Sequence, residues 1–273
     1  MQSALGIKTL YNHRDLLLAW TVRTIKARYQ QSVLGGLWAI LQPVATATIF
    51  TIIFTVFIPI DTGSVPYILF VYSAMVAWTF FATSLVDMVE SLIINMNLVS
   101  KIYFPREVLP IAALLARLLD FAIASLVLFL LMIYFQVPLF KANWVFLPAI
   151  IVVQLMLALG LGFFGAALNV FYRDVKHLVA LGLQLWLYAT PIIYPTTRVP
   201  ERFHPFYFLN PMAGIIESYR DVLVRPEMTT LGTYTINGMQ IPYLLPSAII
   251  ASVVLISGYW FFKKAEFQFA DVV

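Results

Sequence analysis

The chain has 273 residues, of which 62% are hydrophobic and 11% charged, with a formal net charge of +4. Soluble domains run at roughly 45–50% apolar and about 25% charged residues, so a sizeable soluble domain is excluded. The small positive charge reads as membrane orientation rather than nucleic-acid binding. Cysteine is absent, which excludes disulfides, thiolate metal sites and cysteine nucleophiles.

Residues 29–60, 62–86, 121–140, 142–172, 177–197 and 228–262 contain no Asp, Glu, Lys or Arg. A bilayer core takes about 20 apolar residues of helix to cross, and only helices or closed barrels satisfy their backbone there. The windows lack the alternation of barrel strands. The fold class expected is an all-α integral membrane protein, one domain over residues 1–273.

In chain order, residues 10–31 are expected to form an amphipathic helix in the membrane interface. Leu18, Thr21, Val22, Ile25 and Tyr29 share one face, and Arg23, Lys26 and Gln30 lie on another. Arg14, Arg23, Lys26 and Arg28 interrupt any apolar stretch, so a signal peptide is not expected. Spans follow near 33–58 and 65–86. A charged loop at 87–107, partly helical, carries Asp87, Glu90, Lys101, Arg106 and Glu107. Further spans lie near 108–135, 144–168 and 177–195. Residues 196–242 are too apolar for an ordinary loop, with Phe203, Phe206, Tyr207, Phe208, Leu209, Met212, Ile215 and Ile216 close together. They are expected to form re-entrant helices before a sixth span at 243–262.

Six spans put both termini on one side. Lys8, Arg14, Arg23, Lys26, Arg28, Lys101, Arg106, Arg173, Lys176, Lys263 and Lys264 fall on that side, against Lys141, Arg198, Arg202, Arg220 and Arg225 on the other. The richer side is expected to be cytoplasmic, which makes the 196–242 region external.

Charges inside spans are functional hypotheses by default. Arg117 and Asp120, three residues apart on one helix face, are expected to neutralise each other. Glu217, Arg220 and Asp221 are spaced for a similar local pairing. Phe50, Phe54, Phe70, Tyr72, Trp78, Phe80, Phe81, Trp186 and Tyr188 run along the first, second and fifth spans. As a set they are candidates to line a pore in which sugar rings slide on aromatic faces. Lipid-facing or packing roles stay open for each one. Gly160, Gly162, Gly165, Ala166 and Ala167 suit close helix packing.

No phosphate-binding loop is present, and no Lys follows a Gly. The three histidines, His13, His177 and His204, are scattered, and no HExxH or GxSxG motif occurs. With no convincing repeat and few buried charges, a secondary carrier is not favoured either. The chain reads as a conduit driven by something else, with no metal and no cofactor of its own.

Four segments carry a resemblance: RTIKARYQQSVLGGLWAILQP at 23–43, YFPREVLPIAALLARLLDF at 103–121, NVFYRDVKHLVALGLQLWLYATPIIYP at 169–195 and LNPMAGIIESYRDVL at 209–223. In order and spacing they resemble the ABC-2 type permeases that export polysaccharides such as O-antigen, capsule or teichoic acid. The resemblance implies a homodimer bound to two copies of a separate ATPase, which carries the ATP and magnesium. It implies a bacterial plasma-membrane location. It also implies a polyprenyl-diphosphate-linked glycan cargo moved outward, and contact of residues 10–31 and 87–107 with the ATPases. Arg14, Asp87, Glu90 and Lys101 are the coupling candidates that follow. Arg23, Lys26 and Arg28 are candidates for the carrier's diphosphate, with anionic lipid headgroups as the plainer partner. A permease for a smaller lipid or drug remains an alternative. So does a polyprenyl-lipid enzyme built on Asp87 and Glu90.

Overall fold

A computed structural model describes residues 12–30, 33–99, 104–225, 230–236 and 239–269. The chain is mostly helical. Helix α1 covers Arg14–Tyr29, and α2 covers Trp38–Ile52, prolonged by a 3-10 turn before it and a π turn after it. Helix α3 covers Tyr67–Ile94, a short α4 covers Met96–Val99, and α5 covers Val108–Tyr134. Helices α6 (Leu147–Phe171) and α7 (Val175–Ala189) follow. Then come a single turn α8 (His204–Tyr207) and α9 (Pro211–Tyr219), which runs into a π turn at Arg220–Val224. Strands β1 (Thr233–Ile236) and β2 (Met239–Pro242) form an antiparallel hairpin, pairing Thr233 with Pro242 and Thr235 with Gln240. Helix α10 covers Leu244–Glu266.

Among the described residues, five helical segments are long and apolar enough to cross a membrane: Gly35–Phe57, Tyr67–Ile94, Val108–Tyr134, Ala142–Phe171 and Leu244–Glu266. The second expected span is longer than expected. It continues to Ile94, so Asp87 and Glu90 sit on the last turns of α3 and not in a loop. The expected fifth span, 177–195, is helical only to Ala189. Fifteen residues of helix reach about 22 Å, short of the roughly 30 Å hydrocarbon core.

Helix α3 is the hub. It packs on α2, α5, α6, α7 and α9, and 78% of its apolar window is buried. Its small and hydroxylated residues, among them Ser73, Ala74, Ala77 and Ser84, let neighbours approach from several sides. Helices α6 and α10 make the closest crossing. A Cβ on Gly160 would lie 2.6 Å from the backbone of Val254 and Leu255, and one on Gly258 would lie 2.2 Å from the Gly160 carbonyl oxygen. Gly162 and Gly165 admit Met88 and Val89 of α3 in the same way.

Amides on α6 hold the bundle in register. Gln154 donates to the Ala77 carbonyl at 2.7 Å and accepts from the Tyr219 hydroxyl at 2.8 Å. Asn169 donates to the Val89 carbonyl at 3.0 Å. Helix α9 starts where its sequence says it must: Pro211 is its first residue, and the Asn210 side chain accepts from Met212 N at 3.1 Å. The same Asn210 oxygen accepts from the Trp186 indole at 2.8 Å, which ties the end of α7 to α9.

Candidate functional site

Two charge networks dominate the interior. The first joins α1, α3 and α5. Arg28 bonds Asp120 at 2.9 Å and also bonds Asp87. Arg117 bonds Asp87 at 2.7 and 3.0 Å and Asp120 at 3.0 Å. The Tyr29 hydroxyl donates to Asp120, and burial, followed by that carboxylate, pushes its pKa up. The local Arg117–Asp120 pair expected from spacing is present, but it is half of a four-membered ring of alternating charge.

That ring revises the reading of several residues. Arg28 is committed to two carboxylates, while Arg23 and Lys26 lie exposed on the opposite face of α1. The three basic residues therefore do not form one diphosphate cluster. Arg23 stacks on Trp20 at 4.3 Å. Asp87 is bound to Arg28 and Arg117, so it is not a free handle for a partner. Glu90 is half-buried on α3, Arg14 is exposed 3.8 Å from Asp15, and Lys101 lies outside the described residues. The apolar face expected on α1 splits: Leu18 and Val22 are exposed, whereas Thr21, Ile25 and Tyr29 turn towards the bundle.

Above the ring, between α1, α2, α3 and α5, lies a cavity of about 270 Å³. Arg28, Tyr29, Arg117 and Asp120 make its floor. Thr79, Thr83 and Gln42 add polar groups to the walls, and Trp38, Phe80 and Phe121 add aromatic faces. Phe80 and Phe121 are themselves in contact, with ring centroids 5.0 Å apart.

The second network is centred on α9, whose residues from Pro211 to Val224 are all buried. Arg220 bonds Glu217 at 2.7 Å, the Phe70 carbonyl at 3.3 Å and the Ile192 carbonyl at 2.8 Å, and it also donates to the Pro191 carbonyl. Its guanidinium sits 3.5 Å from the Phe70 ring centroid. Glu217 bonds Arg225 at 2.7 Å, and Arg225 also pairs with Asp221. Burial pushes the Asp221 carboxyl up to about 6, against the opposing pull of Arg225. The Gly232 amide donates to Asp221 at 2.8 Å.

The aromatic set divides in the same way. Phe70, Tyr72, Trp78 and Phe81 are buried within the protomer and line no open surface. Tyr72 donates to the Ala124 carbonyl at 3.1 Å. Trp78, Phe81 and Trp186 form an edge-to-face cluster with centroids 5.4 to 6.1 Å apart. Phe50, Phe54 and Trp186 are half-buried, and Tyr188 is exposed.

A third ion pair escaped the sequence reading. Glu107, fully buried at the start of α5, accepts from Lys263 of α10 at 2.6 Å, and Lys263 also bonds Glu266 at 2.9 Å. Arg106 closes the group by donating to the Glu266 carbonyl. Partners this far apart in sequence leave no local spacing to read.

A bundle with such polar staples, and with no catalytic or metal constellation among the described residues, fits a passage more than an active site. Residues 15–224 match the ABC-2 type transporter family, and the chain belongs to that family. At the level of individual proteins, it is 32% identical to the O-antigen export system permease protein RfbA of Klebsiella pneumoniae, over 98% of this chain and 100% of the relative. It is also 32% identical to a protein of the same name from Myxococcus xanthus, over 98% of each chain. The polysialic acid transport protein KpsM of Escherichia coli is 22% identical over 90% of this chain and 91% of its own length.

Proposed function

We propose that this chain is the membrane-spanning permease subunit of an ATP-driven exporter that moves a polyprenyl-diphosphate-linked polysaccharide out of the cytoplasm. The observation that carries the reading is likeness along nearly the whole chain to O-antigen export permeases. A smaller lipid or drug cargo is not favoured, because a more distant relative is also named for moving a polysaccharide. The absence of a phosphate-binding loop assigns ATP hydrolysis to a separate subunit. Two copies of this chain would join two ATPases, and α1 together with the 87–107 segment would face them.

Six crossings, with both termini cytoplasmic, complete the reading. Helix α7 is too short alone, but Thr190, Pro191, Ile192 and Ile193 continue it as buried irregular chain. Non-helical backbone at membrane depth is tolerated where protein satisfies it, and Arg220 bonds the carbonyls of Pro191 and Ile192. The fully buried α9 then serves as the re-entrant element between the fifth and sixth crossings.

Deleting the gene is expected to strip the cell surface of one polysaccharide and to accumulate its lipid-linked form inside. Re-expression is expected to reverse both, and an ATPase is expected to co-purify with the tagged chain. Unchanged surface polysaccharide in the deletion strain would refute the exporter reading.

A further inference from the structure

The cavity above the Arg28–Asp87–Arg117–Asp120 ring has the chemistry of a carbohydrate site. We propose that it holds one neutral sugar ring of the cargo, with hydroxyls on the Arg117–Asp120 floor and an apolar face against Phe80 and Phe121. The proposal deepens the exporter reading and rests on it.

Charge decides the ligand class. Two guanidiniums and two carboxylates cancel, and each guanidinium already bonds both carboxylates. A diphosphate would have to break those pairs, leaving carboxylates uncompensated in a region of low dielectric. A hydroxyl group needs no such rearrangement. It donates to a carboxylate and accepts from a guanidinium, and so inserts beside the ring without changing its charge.

The ring is accessible to that insertion. Its four side chains keep between 14% and 24% of their surface exposed. By contrast, Glu217, Arg220 and Asp221 in the α9 network are at 1% or less.

The walls agree with the floor. Thr83 donates its hydroxyl to the Thr79 carbonyl at 2.7 Å, which leaves the oxygen free to accept. Phe80 and Phe121 offer faces to the C–H side of a ring. Water alone would leave those faces unused, since a bound water needs two to four polar partners. The size sets the stoichiometry: about 270 Å³ falls just under the roughly 300–1,000 Å³ of ordinary ligand sites. That admits a single ring and excludes an oligosaccharide lying flat.

The test uses the full chain in lipid nanodiscs and saturation-transfer NMR. The probes are the methyl glycosides of glucose, mannose, galactose, rhamnose and N-acetylglucosamine. At least one is expected to receive saturation, strongest at its ring C–H protons. Ala39→Phe, which fills the cavity without touching the charges, is expected to weaken that binding by about tenfold or more. Thr83→Val, which keeps the shape and removes one hydroxyl, is expected to weaken it about fivefold and stands in if the larger change unfolds the chain. Leu185→Ala on the exposed face of α7 is expected to change nothing.

No saturation with any glycoside, or a signal indifferent to both variants, would overturn the proposal. So would displacement of the glycoside by equimolar inorganic diphosphate, which would make the floor an anion site. The deletion strain decides the exporter reading separately. Surface polysaccharide that persists in an Ala39→Phe strain whose protein binds no glycoside would discard the cavity and leave the exporter reading in place.

Discussion

The two charge networks use the same residue types to opposite ends. Around Arg220 every donor is spent on protein, most of it backbone, and the side chains are sealed from solvent. Around Arg117 the donors are spent on two carboxylates alone, and the group borders an open cavity. An arginine that completes the backbone of its neighbours cannot move without unfolding them. An arginine that only faces carboxylates can trade partners. The α9 network therefore behaves as structure, and the α1 network as a surface that can respond.

The largest expected effect tests the first half of that contrast. Arg220→Met would orphan the Pro191 and Ile192 carbonyls and strip Glu217 of one partner. Breaking a buried pair from one side costs about 3–5 kcal/mol, so detergent-solubilised protein is expected to aggregate or to melt far below wild type. Arg220→Lys is expected to rescue little, because an ammonium cannot reproduce the forked geometry. A normal melting curve for either variant would erase the distinction between the networks.

Arg117→Met comes next. It leaves Asp87 and Asp120 still bonded to Arg28 and partly hydrated, so a loss of about 1–3 kcal/mol is expected by chemical denaturation. Equal damage from Arg117→Met and Arg220→Met would mean that exposure does not separate the two groups.

A double-mutant cycle sharpens the α1 side. Arg28→Gln and Asp87→Asn are expected to couple by about 0.5–2 kcal/mol, measured as the departure of the double variant from additivity. Strict additivity would mean that the bond joining α1 to α3 carries no energy of its own.

The smallest effect belongs to Arg23 and Lys26, which are exposed on α1. Arg23→Gln with Lys26→Gln is expected to leave stability within about 0.5 kcal/mol. Binding to vesicles containing anionic lipid is expected to weaken by about 1 kcal/mol per charge. A melting shift as large as that of Arg117→Met would place them inside the folded network instead.

Much of this was legible in the sequence. Charge-free windows marked the membrane segments, because burying an ion in lipid is costly enough to leave a gap in the composition. The glycines of α6 announced the close α6–α10 crossing, since only a missing side chain lets two backbones approach within a Cβ's reach. Asn210–Pro211 marked the start of α9 for equally local reasons. What stayed hidden was whatever depends on distant partners. Asp87 looked like a loop charge because its partners, Arg28 and Arg117, lie on other helices. Phe70 and Tyr72 looked like pore residues because hydropathy does not say whether an aromatic faces a channel, a lipid or Arg220. The end of α7 was misplaced because Thr190 to Ile193 are as apolar as helix, and only the Arg220 hydrogen bonds show why they are not helical.

The central position of α3 also bears on the order of assembly. A ribosome releases this helix before α5, α6, α7 or α9 exists, yet those are the elements that cover it. Until residues near Val224 have been made, its serines and its Asp87 have no companions except those of α1 and α2. The second crossing thus enters the bilayer as an unfinished surface that a chaperone or the insertion machinery must shield. Truncated chains ending before α9 are accordingly natural prey for membrane proteases.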